Sequence, residues 1–193
     1  MTQPKIAFQG EPGANSDEAC RTYFPDHEPL PCATFEDAFD AVINLQGDMP
    51  FVQPRVLSAC AGLLAFERGC DIATVVAPED SPADRSNPDV VKAVLSIAPG
   101  HDHGRALYFT RSVLFGEGPV WRHIGVYGYR REALERFTAA PPSPLEQREK
   151  LEQLRALELG LSIWAAAIDK PPISVDTPAD LERARDWARG GAA

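Results

Sequence analysis

FEDAFDAVINLQGDMPF, residues 35–51, carries two incompatible periodicities with no linker between them. Thr34 with Asp37 resembles a capping box, and Phe35, Ala38, Phe39 and Val42 recur at helical spacing, so an amphipathic helix is expected to reach Val42. Ile43, Asn44, Leu45 and Gln46 then alternate apolar and polar and stop at Gly47-Asp48, the pattern of a short strand ending in a turn that presents a carboxylate. Connections in compact domains usually run to about 4–6 residues, so a helix passing directly into a strand marks a join between unrelated sequences. The expected division is an N-terminal segment, 1–42, and a second part, 43–193.

The chain has 193 residues, enough to bury a core. With 28 acidic and 19 basic residues its formal charge is −9, which excludes a general nucleic-acid or acidic-membrane binder. An anionic substrate therefore requires a local basic pocket or a metal ion. No apolar run is long enough to span a bilayer and no leader precedes MTQPKIAFQG, so a cytoplasmic protein is expected. Cys20, Cys32, Cys60 and Cys70 lack C-x-x-C spacing and read as reduced, largely buried thiols. APGHDHG, with His101 and His103, reads as a solvated hairpin turn, with half a metal site as the alternative.

Along the chain, Lys5–Gln9 reads as a strand, GEPGANS as a glycine loop and Ser16–Phe24 as a helix. Pro54–Phe66 reads as a helix closed by Gly69, Ile72–Val76 as a strand, and Pro78–Pro88 as a loop. Val90–Ile97 and Arg105–Phe109 form an expected antiparallel hairpin, and His123–Tyr129 a further strand. Ser143, Pro144, Glu146 and Gly160 bracket a helix over about 144–159. Ile173–Val175 reads as a short strand, followed by Asp176 and a capped helix from Pro178 to about Gly190. Interleaved strands and helices imply an α/β sandwich with a mixed sheet.

Ligands of open α/β sheets sit beyond the carboxyl ends of the strands, where Asp48 and Asp176 are both expected. If their strands are neighbours, the two carboxylates suit one hard cation such as magnesium. Each aspartate alone serves equally well as a turn cap.

NLQGDMPFVQP, NPDVVKAVLS, RALYFTRS, RHIGVYGYR, SPLEQREKLEQLRALELG and SVDTPADLERAR occur in this order. Together they resemble the 3-deoxy-manno-octulosonate cytidylyltransferases over residues 43–193. The resemblance implies a nucleotide-diphospho-sugar transferase-like α/β sandwich and a magnesium-dependent nucleotidyltransferase. Such an enzyme transfers CMP from CTP to 3-deoxy-manno-octulosonate and releases pyrophosphate, in lipopolysaccharide precursor synthesis. It implies Asp48 and Asp176 as catalytic magnesium ligands, and Gln46, Arg111, His123, Tyr127, Glu152 and Gln153 as sugar contacts. A homodimer is also expected. Met49 stands where the family often has glutamate.

Without the resemblance, Arg111 reads as a surface ion pair as readily as a bidentate carboxylate ligand. Glu152 reads as a solvated partner of Arg148 and Arg155. His123 and Tyr127, four apart on a strand, face the same side, in the core or towards a ligand.

KIAFQGEPGANSDEACRTYFPDHEPLPCATFEDAFDAV, above all FQGEPGANS, resembles the start of a bacterial prephenate dehydratase. That family's catalytic Thr-Arg-Phe has no counterpart, because Thr110-Arg111 is followed by Ser112. The basic N-terminal loop that receives CTP in the cytidylyltransferases also has no match, and GEPGANS lacks its Lys and Arg. The expectation is a sandwich incomplete at its nucleotide-binding part, with a sugar pocket and weak or no transfer. The alternatives are a dehydratase fragment of phenylalanine biosynthesis and a non-catalytic α/β dimerisation module.

Overall fold

The computed structural model describes residues 5–9, 12–13, 15–26, 28–32, 41–45, 51–79, 81–114, 118–173, 175 and 178–190. The chain divides into two compact units, Met1–Val42 and Ile43–Ala193.

In the first unit, β1 (Lys5–Gln9), α1 (Asn15–Tyr23) and β2 (Glu28–Cys32) form a strand–helix–strand unit whose strands pair in parallel. The strand and helix agree with the sequence. β2 does not follow from it, since Pro29 and Pro31 argue against a strand; proline is tolerated here because each strand of a two-stranded sheet is an edge. The turn before α1 is tied down internally: the Gly13 amide donates to Asp17 Oδ2 at 2.7 Å, and Arg21 Nε lies 2.9 Å from Asp17 Oδ1.

β3 (Ala41–Leu45) runs across the division. The helix expected over 35–42 lies outside the described residues up to residue 40, but Ala41 and Val42 are strand, so it does not reach Val42. The alternation of Ile43–Leu45 extends two residues backwards and overrides the helical period.

The second unit continues with α2 (Pro54–Phe66), β4 (Ile72–Pro78), α3 (Pro82–Ser86), β5 (Lys92–Ile97), β6 (His103–Thr110) and β7 (Trp121–Arg130). α4 (Arg131–Ala139), α5 (Pro144–Glu149), α6 (Gln153–Glu158), β8 (Ile163–Ala167) and α7 (Pro178–Gly190) complete it. The six-stranded sheet runs β3-β7-β4-β8-β6-β5, and β5 also pairs with β7. β4 and β8 are parallel, whereas β4–β7, β5–β6, β5–β7 and β6–β8 are antiparallel, giving the expected mixed sheet.

Each sheet face is covered. Val56, Cys60, Leu63 and Leu64, at helical spacing on α2, pack on Ala73, Val75, Ala77, Ile124 and Val126. Each leucine buried there contributes roughly 1.5–3 kcal/mol. The helix lies close enough that a Cβ on Gly128 would meet Leu64 Cδ1 at 2.8 Å, which accounts for glycine inside this strand. The opposite face packs Ile72, Val76, Phe109, Tyr127 and Tyr129 against Phe137 of α4 and Leu151 and Leu154 beside α6. Cys20, Cys60 and Cys70 are free and buried, and burial pushes the thiols of Cys60 and Cys70 up to about 12.

Three further expectations change, and one strand was not anticipated. The loop over 78–88 contains α3, capped by Ser81 accepting from the Asp84 amide at 3.3 Å. The helix over 144–159 has the expected capping box at Ser143 and Glu146 but breaks at Lys150, which is left-handed at φ 58°. The break has a cause: in one continuous helix Glu146 and Arg155 would stand roughly 13 Å apart along the axis. The break brings them together as a bidentate pair with both distances 2.8 Å. Ile173 and Val175 are not strand, following Pro171 and Pro172, whose rings remove ladder donors; Ser174 lies outside the described residues. The strand that fills this need is β8, hidden in the weak strand formers Ala165–Ala167.

Candidate active site

Three of the expected site residues, Gln46, Asp48 and Asp176, lie outside the described residues. The other five fall on one side of the second unit's sheet or at its end.

The organising strand is β5. Its first residue, Lys92, pairs with Thr110 of β6 on one side and Arg122 of β7 on the other. Arg111 and His123, each one residue further on, therefore flank the same strand end. Across it, the rings of Phe109 and His123 lie 5.1 Å apart. The Arg111 guanidinium donates from Nη1 to the Pro88 carbonyl at 3.0 Å, its single drawn bond among the described residues.

On β7, the register slips so that Thr74 faces Tyr127 while Val75 faces Ile124. The insertion is two residues, an even number, so His123 and Tyr127 stay on the same face, with ring centroids 5.3 Å apart. Tyr127, Tyr129 and Phe137 continue the series at 5.9 and 6.1 Å, making an aromatic floor. His123 Nε2 lies 3.0 Å from Thr74 Oγ1, and that hydroxyl is 2.9 Å from the Val126 carbonyl. Donation by threonine to Val126 leaves its oxygen to accept from Nε2–H, the neutral tautomer. The protein atoms packed around His123 push its imidazole down to about 4, so the ring is neutral near pH 7. Burial, reinforced by Tyr129 and Glu152, likewise raises the Tyr127 hydroxyl well above its ordinary value and keeps it a donor.

Tyr127, Glu152 and Gln153 line one recess together with Ile72, Tyr129, Phe137, Ala156 and Ile163. Gln153 is buried in it, while the Glu152 side chain is 68% exposed and lies 3.1 Å from Arg155 Nη2. The expected Arg155 partnership of Glu152 is present; Arg148 instead holds Glu149 at 3.1 Å. Arg155 is itself anchored by Glu146, by the carbonyls of Phe137 and Ala140, and over the Phe137 ring at 4.5 Å.

Sequence reasoning missed the charged cluster beside Arg111. Lys92 is fully buried, and Arg122 lies 3.5 Å from buried Glu79 and 3.8 Å from Asp84. Lys92, Arg111 and Arg122 thus gather at one strand end, where Glu79 and Asp84 pair with Arg122. The available signal was a lysine inside the otherwise apolar run VVKAVLSI. The His101–His103 turn carries no metal cluster: among the described residues no group of three or more His, Cys, Asp or Glu could hold an ion.

Comparison with known proteins identifies the family. The cytidylyltransferase family matches residues 32–163. A 3-deoxy-manno-octulosonate cytidylyltransferase from Methylobacterium sp. (strain 4-46) is 52% identical over 171 residues, covering 83% of this chain and 68% of the relative. The chain belongs to the 3-deoxy-manno-octulosonate cytidylyltransferase family. Relatives of the same name from Rhodospirillum centenum and Paramagnetospirillum magneticum are 56% and 52% identical, over 76% and 78% of this chain. The chain spans 57% and 61% of those two relatives' own length. A solved CMP:2-keto-3-deoxy-manno-octonic acid synthetase complexed with CTP superposes with a TM-score of 0.73 at 25% identity, covering 96% of this chain and 81% of that one. The family's nucleotide-diphospho-sugar transferase-like sandwich is thereby the fold of this chain. The prephenate dehydratase family also matches, over residues 6–52 only. The two matches overlap across 32–52 rather than abutting at Val42. No helix among the described residues is long and apolar enough to cross a membrane.

Proposed function

We propose that the chain transfers CMP from CTP to 3-deoxy-manno-octulosonate, a step of lipopolysaccharide precursor synthesis, with Arg111 receiving the sugar carboxylate. The carrying observation is that Arg111 and the His123–Tyr127 face flank one end of β5, with Glu152 and Gln153 further along the same aromatic floor. Arg111 spends one donor on Pro88, and the rest of its planar fork suits a carboxylate. Tyr127 and the buried Gln153 amide offer donors to sugar hydroxyls, and the Glu152 carboxylate and Nδ1 of neutral His123, whose Nε2–H serves Thr74, offer acceptors.

In the reaction the sugar's anomeric oxygen forms a bond to the α-phosphorus of CTP, the bond to pyrophosphate breaks, and the hydroxyl proton is released. Positioning and charge neutralisation carry most of such a transfer. Two carboxylates, as Asp48 and Asp176 would supply if they meet, are by type suited to magnesium, and an ion held by them would neutralise phosphate charge. Calorimetric titration of 3-deoxy-manno-octulosonate, with pyrophosphate release from CTP on the same sample, tests the reading. Sugar binding with no pyrophosphate release would confine the function to the sugar side.

The match over residues 6–52 supports reading 1–42 as a dehydratase beginning joined to a cytidylyltransferase. The Gly13 amide, which would have to face a phosphate in a substitute nucleotide loop, already serves Asp17. Prephenate dehydration is not expected, and phenylpyruvate formed above the uncatalysed rate would overturn this. A homodimer in the cytoplasm completes the reading, and sedimentation at two concentrations tests the dimer.

A further inference from the structure

Lysine is almost never fully buried, because desolvating an ammonium is costly unless hydrogen bonds repay it. Lys92 is 0% exposed and is the largest fully buried side chain among the described residues. A methionine of similar shape would fill the space without that cost. What the ammonium does instead is tie two separate pieces of backbone. Nζ donates to the Asn87 carbonyl at 2.6 Å and to the Arg111 carbonyl at 3.1 Å. The Arg111 guanidinium returns to the same segment through the Pro88 carbonyl, and the Val91 carbonyl accepts the His123 amide at 2.8 Å. Residues 87–91 are therefore fastened at one end to Arg111, through its own main chain and side chain, and at the other to His123.

We propose that Lys92 is a positioning residue for sugar-acid recognition: by holding the Arg111 carbonyl it fixes the direction in which the Arg111 guanidinium leaves the end of β6. The inference rests on the reading of Arg111 as the carboxylate ligand. The backbone of Arg111 lies just past the last residue of β6 and has no strand ladder beyond it to hold it. A guanidinium on a four-carbon stem loses its bidentate geometry if its own Cα shifts by an ångström. Glu79 and Asp84 face the ammonium and favour its charged form, opposing burial and Arg111, which together lower its pKa.

The test is a double-mutant cycle on the full chain, read as affinity for 3-deoxy-manno-octulosonate in the presence of magnesium. Arg111→Ala is expected to weaken binding at least about thirtyfold and Lys92→Met at least about tenfold, and the double variant to bind no more than about twofold worse than Arg111→Ala. A purely structural lysine would lower Tm without that non-additivity. Lys92→Arg, which keeps a cationic donor, is expected to recover binding to within about threefold of the wild type. Folded Lys92→Met binding like the wild type, or losses that multiply in the double variant, would overturn the proposal. If Lys92→Met does not fold, Lys92→Gln, which keeps N–H donors without the charge, is judged by the same two criteria with binding intermediate between wild type and Arg111→Ala. No sugar binding by the wild type would overturn the reading of the site itself, and with it the role of Lys92.

Discussion

Thr74 Oγ1 stands 3.0 Å from His123 Nε2 across the β4–β7 pairing, so a fully buried threonine fixes the tautomer of the histidine beside the start of β5. The folded state holds this imidazole neutral with a pKa of about 4, against about 6.5 unfolded.

A depressed histidine pKa gives stability that is complete above about pH 6.5 and is lost as pH falls towards 4, where the unfolded chain binds the extra proton. His123→Gln removes that titration. Urea unfolding at pH 7 and 4.5 should show the wild type losing on the order of 1–2 kcal/mol more than the variant between the two values. Equal losses would mean that His123 is not held neutral.

His103 behaves oppositely. Asp102 Oδ1 at 3.0 Å and Glu67 Oε1 at 3.2 Å both bond its ring, Asp102 being the larger influence, and together they raise its pKa. This stability is fully present below about pH 6.5 and disappears as pH rises through the raised folded value. In ring-proton NMR titrations, Asp102→Asn should lower the His103 midpoint more than Glu67→Gln does. An unchanged midpoint in both would contradict the clip between α2 and the β5–β6 turn.

Arg155 holds the α5–α6 break closed through Glu146, whose carboxyl it keeps below the ordinary range. Both side chains are mostly buried, so Arg155→Met strands a carboxylate and should cost about 2–4 kcal/mol at pH 7. The deficit should shrink as pH falls below about 4.5, where the Glu146 contribution is lost in the wild type as well. Chemical denaturation at pH 7 and 3.5 checks both statements.

Much of the sheet was legible because its strands are short apolar or β-branched runs bounded by turn residues: Ile72, Val94 and Tyr127 lie in such runs. What escaped depends on partners distant in sequence. Ala165–Ala167 form a strand only because β4 and β6 flank them, and the helix break at Lys150 exists because Glu146 and Arg155 meet across it. Arg111, His123, Tyr127, Glu152 and Gln153 were named from motif resemblance, and the nearness of Arg111 to His123 is visible only once β5 is seen to pair with both β6 and β7. Lys92 went unnoticed because its ammonium bonds carbonyls 5 and 19 residues away, which no local pattern encodes.

Loss of a bidentate charged contact typically weakens binding by about 2–4 kcal/mol, roughly thirtyfold or more. The most direct measurement is therefore calorimetric titration of 3-deoxy-manno-octulosonate, with magnesium present, into the wild type and into Arg111→Ala. Saturable binding by the wild type and at least about thirtyfold weaker binding by the variant are expected at unchanged fold, judged by circular dichroism. Equal affinity of the two proteins, or no binding by the folded wild type, would contradict the proposed function.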